Sequence, residues 1–533
     1  MNRILHGKNI IAGEPSAAGR ESTRAVNPAT GEEMEPDFIH AIEAEVQRAA
    51  ERAEKAQVDM LRINPLARAR LLRRIAEEIT ALGDSLIERC RLETALPEAR
   101  LISERARTVN QLRMFADMVE EGSWVDARID TAIPDRKPQP RPDLRRMLLP
   151  LGVAAVFCAG NFPLAFSVVG GDTASALAGG CSVIVKAHGS HPGTAELAAK
   201  AVKRAVAAEN LPSGVFSLLH GPGATIGVQL VTHPLIKAVG FTGSRRAGRA
   251  LFNAAASRDE PIPVFAEMGS INPVFLLPEA LRKRNEPIAQ GLFASATVGV
   301  GQFCTNPGVV IALDSEELDE LTRRMGRLFS QAQTGIMLNE RILTAYRQGS
   351  SRLRTEENVS LGGEGAGAAE SGGSGRPALF TSDGRTFLEN PLLREELFGP
   401  CTLLIRSRDR EQMMRIAASL EGQLTASVHA EEGEVEEYAE LFTVLRCKAG
   451  RLIFNSFPTG VEVCRSMHHG GPYPATTDSR FTSVGTAAVY RFARPVCFQD
   501  FPESTLPPEL RDANPLGILR QLNGVYTRDS ISR

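Results

Sequence analysis

"LGVAAVFCAG" (Leu151–Gly160) is a run of small and β-branched apolar residues closed by a glycine. Its length suits one strand, and its lack of alternation suits a strand buried on both faces. Working outward, "FSVVGGDTASALAGG" (Phe166–Gly180) has helical spacing, and "SVIVKAHG" (Ser182–Gly189) reads as a second strand. Helix "GTAELAAKAVKRAVAAEN" (Gly193–Asn210) and strand "VFSLLHG" (Val215–Gly221) follow, then a further helix and strand "IKAVGFTG" (Ile236–Gly243). Strand and helix alternate across Leu151–Gly269, which predicts a parallel sheet with helices on both faces.

Before this region, "AVNPATGEE" (Ala25–Glu33) is turn-rich and is expected to begin the ordered part. From Ile39 to about Gly122, apolar residues recur three and four apart with charges between them, the pattern of amphipathic helices. Pro65 falls near a helix start, where its missing N–H costs nothing. The Pro-rich, basic stretch from Asp130 to Pro150 reads as an extended arm or hairpin. "TAAVYRFARPVCFQDFP" (Thr486–Pro502) is its candidate partner. "NPVFLLP" (Asn272–Pro278) opens a second α/β region in which helices are expected to flank Cys304. Ser360–Ala378, rich in Gly, Ala and Ser, is too poor in apolar residues to pack and is expected to be a mobile surface loop.

The 533 residues exceed one compact core, and 43% hydrophobic with 23% charged residues is ordinary globular composition. A net charge of -2 gives no reason to expect nucleic acid or an anionic membrane as partner. No stretch approaches the ~20 apolar residues that span a bilayer. The eight cysteines lack CxxC spacing, and the first residues lack a signal peptide's apolar core, so reduced thiols in the cytoplasm are expected. No metal site is expected: His188 and His191 have no cysteine pair nearby, and adjacent His468 and His469 suit one ion poorly.

Four motifs carry chemistry. In "VGVGQFCTNPG" (Val298–Gly308), Cys304 lies between glycines and an Asn-Pro-Gly bend, a setting that exposes a thiol and aims backbone N–H groups beside it. In "VFAEMGSINPVF" (Val264–Phe275), Glu267 ends a β-rich run before a glycine, where a carboxylate can act as a base. In "CAGNFPLAF" (Cys158–Phe166), Asn161 follows a strand, and its amide can donate to an oxyanion or cap a helix. "GFTGSRRAG" (Gly240–Gly248) places Gly243, Ser244 and Gly248 at a helix N-terminus suited to a phosphate. By contrast "GPGATIG" (Gly221–Gly227) misses the dinucleotide fingerprint by one residue.

Taken in order, with Lys186 in "VIVKAH" and with "EELFGP" (Glu395–Pro400), these motifs resemble the aldehyde dehydrogenase superfamily over most of the chain. The resemblance implies a Rossmann-type cofactor domain (1–129 and 151–268), an α/β catalytic domain (269–473), a small β oligomerisation flap (130–150 and 474–510) and a C-terminal extension (511–533). It implies Cys304 as nucleophile, Glu267 as general base and Asn161 as oxyanion donor. Lys186 would hold the adenosine ribose, Ser244 would lie at the pyrophosphate, and Glu396 and Phe398 would hold the nicotinamide riboside.

Two departures sharpen the expectation. Most members have a glutamate three residues after the ribose lysine, where this chain has Gly189. Without that carboxylate a 2′-phosphate meets no repulsion, and Ser190 and His191 could donate to it, so NADP is the expected cofactor, with NAD possible. The segment from His468 to Pro502 is similar to the branch containing 2-oxoglutarate semialdehyde dehydrogenases, and a bacterial NADP-dependent fatty aldehyde dehydrogenase resembles the same branch. For His469 two readings stand open, a match to a functional histidine of that branch and a turn histidine. Arg465 and Arg480 are candidates to anchor a substrate carboxylate, whereas Phe303, Phe454 and Phe457 would suit an apolar tunnel. The expected partners are a small aldehyde and further copies of the chain, as a homodimer or homotetramer; a non-catalytic nucleotide-binding homologue is the reading from another class.

Overall fold

The computed structural model describes residues 5–366 and 373–531. Its first sheet has seven strands, ordered Val264–Glu267, Ile236–Thr242, Val153–Phe157, Val183–Lys186, Phe216–Leu219, Asn9–Ile11 and Glu14–Ser16. The first five are parallel, and Val153–Phe157 is buried at every residue, as its unbroken apolar run predicts. From Val153–Phe157 the chain steps outward twice, then returns to add Ile236–Thr242 on the other side. That reversal opens a crevice at the carboxyl ends of the two central strands, where open α/β sheets bind ligands. Asn9–Ile11 pairs antiparallel with Phe216–Leu219, so order begins well before Ala25, contrary to the sequence expectation. Buried Ile10 and Ile11 explain it: two apolar side chains seat a three-residue strand between Phe216–Leu219 and Glu14–Ser16.

The helices Glu43–Met60, Pro65–Ala81, Asp84–Thr94 and Glu98–Glu121 occupy the span read as helical. Pro65 takes the first helical position, and Asn64 caps it by accepting from the Leu66 N–H. Most of the apolar stripe of Pro65–Ala81 enters the same core as the sheet's central strands.

A second seven-stranded sheet runs Ser360–Glu364, Ala378–Asp383, Cys401–Ser407, Val309–Leu313, Val274–Leu276, Gln423–His429 and Ala449–Phe454. The helix Pro278–Thr297 precedes Cys304, but a strand, Val309–Leu313, follows it; the expected second flanking helix is absent there. Within the stretch read as a loop, Ser360–Glu364 instead forms an edge strand antiparallel to Ala378–Asp383, because backbone pairing needs no apolar side chain. Residues 367–372 of that stretch lie outside the described residues.

The third sheet pairs Leu144–Pro150 antiparallel with Ala493–Gln499 over seven residues. It continues through Arg128–Asp130 to Arg520–Leu522 and Val525–Thr527, so part of the chain beyond 510 is woven into it.

Candidate active site

Four strand ends of the first sheet converge on one cleft. Cys158–Asn161 leaves Val153–Phe157, Lys186 ends its strand, Gly243 and Ser244 follow Ile236–Thr242, and Glu267 ends Val264–Glu267. The second sheet faces them with the Cys304 loop and Glu395–Pro400.

The Cys304 loop is held by amides. Asn272 Nδ2 donates to the backbone oxygens of Cys304 and Asn306 at 2.9 Å each. Gln302 Oε1 accepts from the Leu338 N–H at 2.9 Å, and Asn306 Nδ2 donates to Gly399 O at 3.2 Å. Gly299, Val300 and Gly301 all have left-handed backbone (φ 58°, 58° and 63°). A β-branched residue is costly there, so Val300 marks stored strain just before the nucleophile. A Cβ on Gly301 would lie 2.2 Å from Gly399 O, so the close approach of this loop to the Glu395–Pro400 segment requires glycine.

Three ionisable groups meet at the cleft floor. Cys304 Sγ lies 3.4 Å from His469 Nε2, which lies 3.0 Å from Glu267 Oε1. Cys304 Sγ, the His469 ring and the Glu267 carboxylate all fall within 4.8 Å of one another. Ser483 Oγ donates to Glu267 Oε2, and the Thr482 hydroxyl accepts from the His469 N–H at 2.8 Å. Glu267 and His469 are buried, whereas Cys304 is partly exposed. Burial opposes ionisation of Glu267, but the adjacent His469 and the Ser483 hydroxyl outweigh it and hold the carboxyl below its usual value. Crowding by the surrounding protein, then the charge of Glu267, pushes the Cys304 thiol well above its usual value. The resting thiol is therefore protonated and has the Glu267 carboxylate and the His469 ring at hand.

Asn161 Nδ2 donates to Gln302 O at 3.0 Å, which places the amide against the nucleophile's own loop and leaves its second N–H uncommitted. Its backbone oxygen accepts from Arg100 Nη2 at 2.7 Å.

On the cofactor side, the Lys186 ammonium makes no ion pair among the described residues. A Cβ on Gly189 would meet nothing within 4 Å, so the space a carboxylate would fill is open. The Ser190 hydroxyl accepts from Asn339 Nδ2 at 2.8 Å and keeps its proton to donate. His191, expected beside it, is instead fully buried with Nε2 2.9 Å from Ala159 O, and is closed to a phosphate. Ser244 caps the helix Arg245–Ala256, while Gly248 lets Met268 pack against that helix. Gly243 in turn lies close to the Phe241 ring. A Cβ on Gly269 would sit 2.2 Å from Glu396 Oε2, so the Glu396 carboxylate lies directly over the turn after Glu267; Phe398 is half-buried beside it. An unpaired lysine, an open glycine and a helix start along one cleft fit a dinucleotide.

Of the other candidates, Phe303 adjoins the site, while Arg465, Arg480, Phe454 and Phe457 make no contact with Cys304, His469 or Glu267 among those described. Arg480 is exposed and paired with Asp478 at 2.9 Å through Nε, and Arg465 is exposed. Phe457 packs on His429 (ring centroids 4.6 Å) and against Gly291, within the second sheet's flank, and Phe454 is half exposed on an edge strand. Phe303 meets Phe162 edge-on at 5.3 Å. Sequence reasoning missed Ser483, Asn272 and Arg107, whose partners are remote in the chain.

A model of the aldehyde dehydrogenase family matches residues 15–477. The chain is 50% identical over 522 residues to alpha-ketoglutaric semialdehyde dehydrogenase 2 of Azospirillum brasilense, covering 98% of this chain and 99% of that one. It is 45% identical over 525 residues to alpha-ketoglutaric semialdehyde dehydrogenase of Acinetobacter baylyi, with the same coverage. Among solved structures, an NAD+ complex of an aldehyde dehydrogenase from Bacillus cereus superposes with a TM-score of 0.79 at 21% identity, covering 92% of this chain and 96% of that one. With Cys304, His469, Glu267 and Asn161 brought together on that fold, the chain belongs to the aldehyde dehydrogenase family and is an NAD(P)-dependent aldehyde dehydrogenase.

Proposed function

We propose that the enzyme oxidises 2-oxoglutarate semialdehyde to 2-oxoglutarate through a thioester on Cys304, preferring NADP. The observation that carries the chemistry is the contact of Cys304 Sγ with His469 (3.4 Å) and of His469 with Glu267 (3.0 Å). The substrate rests on the two semialdehyde dehydrogenases that match this chain nearly end to end.

As Cys304 Sγ attacks the aldehyde carbon, its proton passes to the Glu267–His469 dyad. Asn161 donates its free N–H to the developing oxyanion, together with the Cys304 backbone N–H. A nicotinamide dinucleotide, which Lys186, Ser244 and Glu396 would hold, would supply the acceptor for the hydride of the aldehyde carbon. Once the dyad has released that first proton to solvent, Glu267 takes a proton from the water that attacks the thioester and returns it to the departing Cys304 sulfur, restoring the thiol. Ser483 keeps the carboxylate oriented throughout.

NADP preference is supported by the open space at Gly189 and the free hydroxyl proton of Ser190. A homo-oligomer is supported by two sheet edges without partners among the described residues: Ala493–Gln499, and Ala449–Phe454 with exposed Leu452 and Phe454. Free cysteines throughout the described residues support a reducing, cytoplasmic setting, and no described helix is long and apolar enough to cross a membrane.

The test is kcat/KM for 2,5-dioxopentanoate, succinic semialdehyde and a long-chain aldehyde, each with NADP and NAD. The expected order puts 2,5-dioxopentanoate with NADP first. A tenfold advantage for NAD would overturn the cofactor preference, and a faster long-chain aldehyde would overturn the substrate.

A further inference from the structure

Arg107, on the helix Glu98–Glu121, lies behind the cleft and makes no salt bridge among the described residues. Its guanidinium lies over the rings of Phe162 (5.6 Å) and Phe166 (5.4 Å). The Phe166 ring in turn lies 6.5 Å from the His469 ring, so one aromatic layer separates Arg107 from the Cys304–His469 contact. Nε and Nη2 of Arg107 are buried without a hydrogen-bond partner, and it makes no ion pair among the described residues. The charges it faces are Glu104, Cys304, Glu267 and Glu462. Of these, Glu104 spends Oε1 on the N–H groups of Leu164 and Ala165 at 2.8 and 2.9 Å. Glu267 is committed to His469 and Ser483. Neighbouring Arg100, stacked on Phe162 and Phe303, uses Nη2 on Asn161 O instead.

A buried guanidinium with unfilled donors is costly unless an anion completes it. Carboxylates suit its planar fork. An acid-aldehyde five carbons long has four carbon–carbon bonds between its ends, about 5 Å. We propose that the Arg107 guanidinium binds the substrate's carboxylate and so selects carboxylated aldehydes over neutral ones. This rests on the acid-aldehyde reading above and names the residue that enforces it. The positive charge also favours the Cys304 thiolate, against burial and Glu267.

The experiment measures the ratio of kcat/KM for 2,5-dioxopentanoate to that for hexanal in the wild type, Arg107→Met and Arg107→Lys. The ratio cancels any uniform loss of folded enzyme. The expected result is a wild-type ratio well above one that falls about 100-fold in Arg107→Met, mainly through KM, with partial recovery in Arg107→Lys. Where Arg107→Met does not fold, Arg107→Gln and Arg107→Lys are read against the same ratio. A strong wild-type preference that survives in the variants overturns the anchor and leaves the substrate reading standing. A wild-type enzyme indifferent to the carboxylate overturns both.

Discussion

The two sides of the catalytic centre are built on opposite principles. The proposed base side, Glu267 with His469 and Ser483, is buried and joined by hydrogen bonds that hold the carboxylate in place. The proposed nucleophile side is a partly exposed loop with left-handed backbone, held by the Asn272 amide from outside and tied to Leu338 and Gly399 by its own Gln302 and Asn306. A base must keep its proton affinity constant, which a closed hydrogen-bond set achieves. A nucleophile must meet substrate and then water, which needs an open approach on a rigid support. The loop is thus pinned through its backbone, leaving the thiol free.

Four experiments press on this contrast, from the largest effect down. Cys304→Ala removes the bond-forming atom and should reduce aldehyde oxidation by about 10⁴-fold or more, with the fold intact by circular dichroism. Glu267→Gln should lower steady-state kcat by about 10²–10³-fold while a pre-steady-state burst of reduced cofactor persists, since only the water step lacks its base; an undiminished steady state would remove Glu267 from that role. Asn161→Ala should cost about 3 kcal/mol of transition-state stabilisation, seen as loss of kcat/KM with thermal stability nearly unchanged. Gly301→Ala should act on the support instead: the added methyl meets Gly399 O and takes an unfavourable φ, so the melting temperature should fall by several degrees along with activity. If Gly301→Ala left both intact, the pinned-loop description would fail.

The same contrast has a pH signature. Protein crowding and the Glu267 charge hold the Cys304 thiol above its usual range, so alkylation by iodoacetamide should rise with pH to a midpoint above the ~8.5 of a free thiol. Glu267 disfavours the thiolate by its negative charge. Neutralising it in Glu267→Gln should therefore move the midpoint down and speed alkylation near neutrality, even as turnover slows.

Much of this centre was legible in the sequence because it sits where strands end. Asn161 and Glu267 follow runs whose apolar character marks them as strands of one sheet, and glycine neighbours flag the cleft. Cys304 was legible from its glycines and its Asn-Pro-Gly bend. Ser483 was not, because it lies 216 residues from Glu267 in a segment without regular structure. Arg107 was hidden differently, since on a charged amphipathic helix a buried arginine reads like its solvated neighbours. His191 and Arg480 show the reverse error. Polarity marked them for a ligand, but one is buried on a backbone carbonyl and the other rests on Asp478 in solvent. Local sequence specifies residue type, whereas the facing direction is set by tertiary packing. For the same reason Asn9–Ile11 was overlooked, a short strand that joins the sheet by pairing with Phe216–Leu219, remote in the chain.

The account turns on a covalent acyl group at one sulfur, with the base across from it needed for its release. Mass spectrometry of Glu267→Gln, quenched after one turnover with 2,5-dioxopentanoate and NADP, tests this directly. The predicted result is one acyl group per chain on the peptide containing Cys304, formed together with one equivalent of reduced cofactor. Reduced cofactor formed with residue 304 unmodified, or acylation at another cysteine, would contradict it.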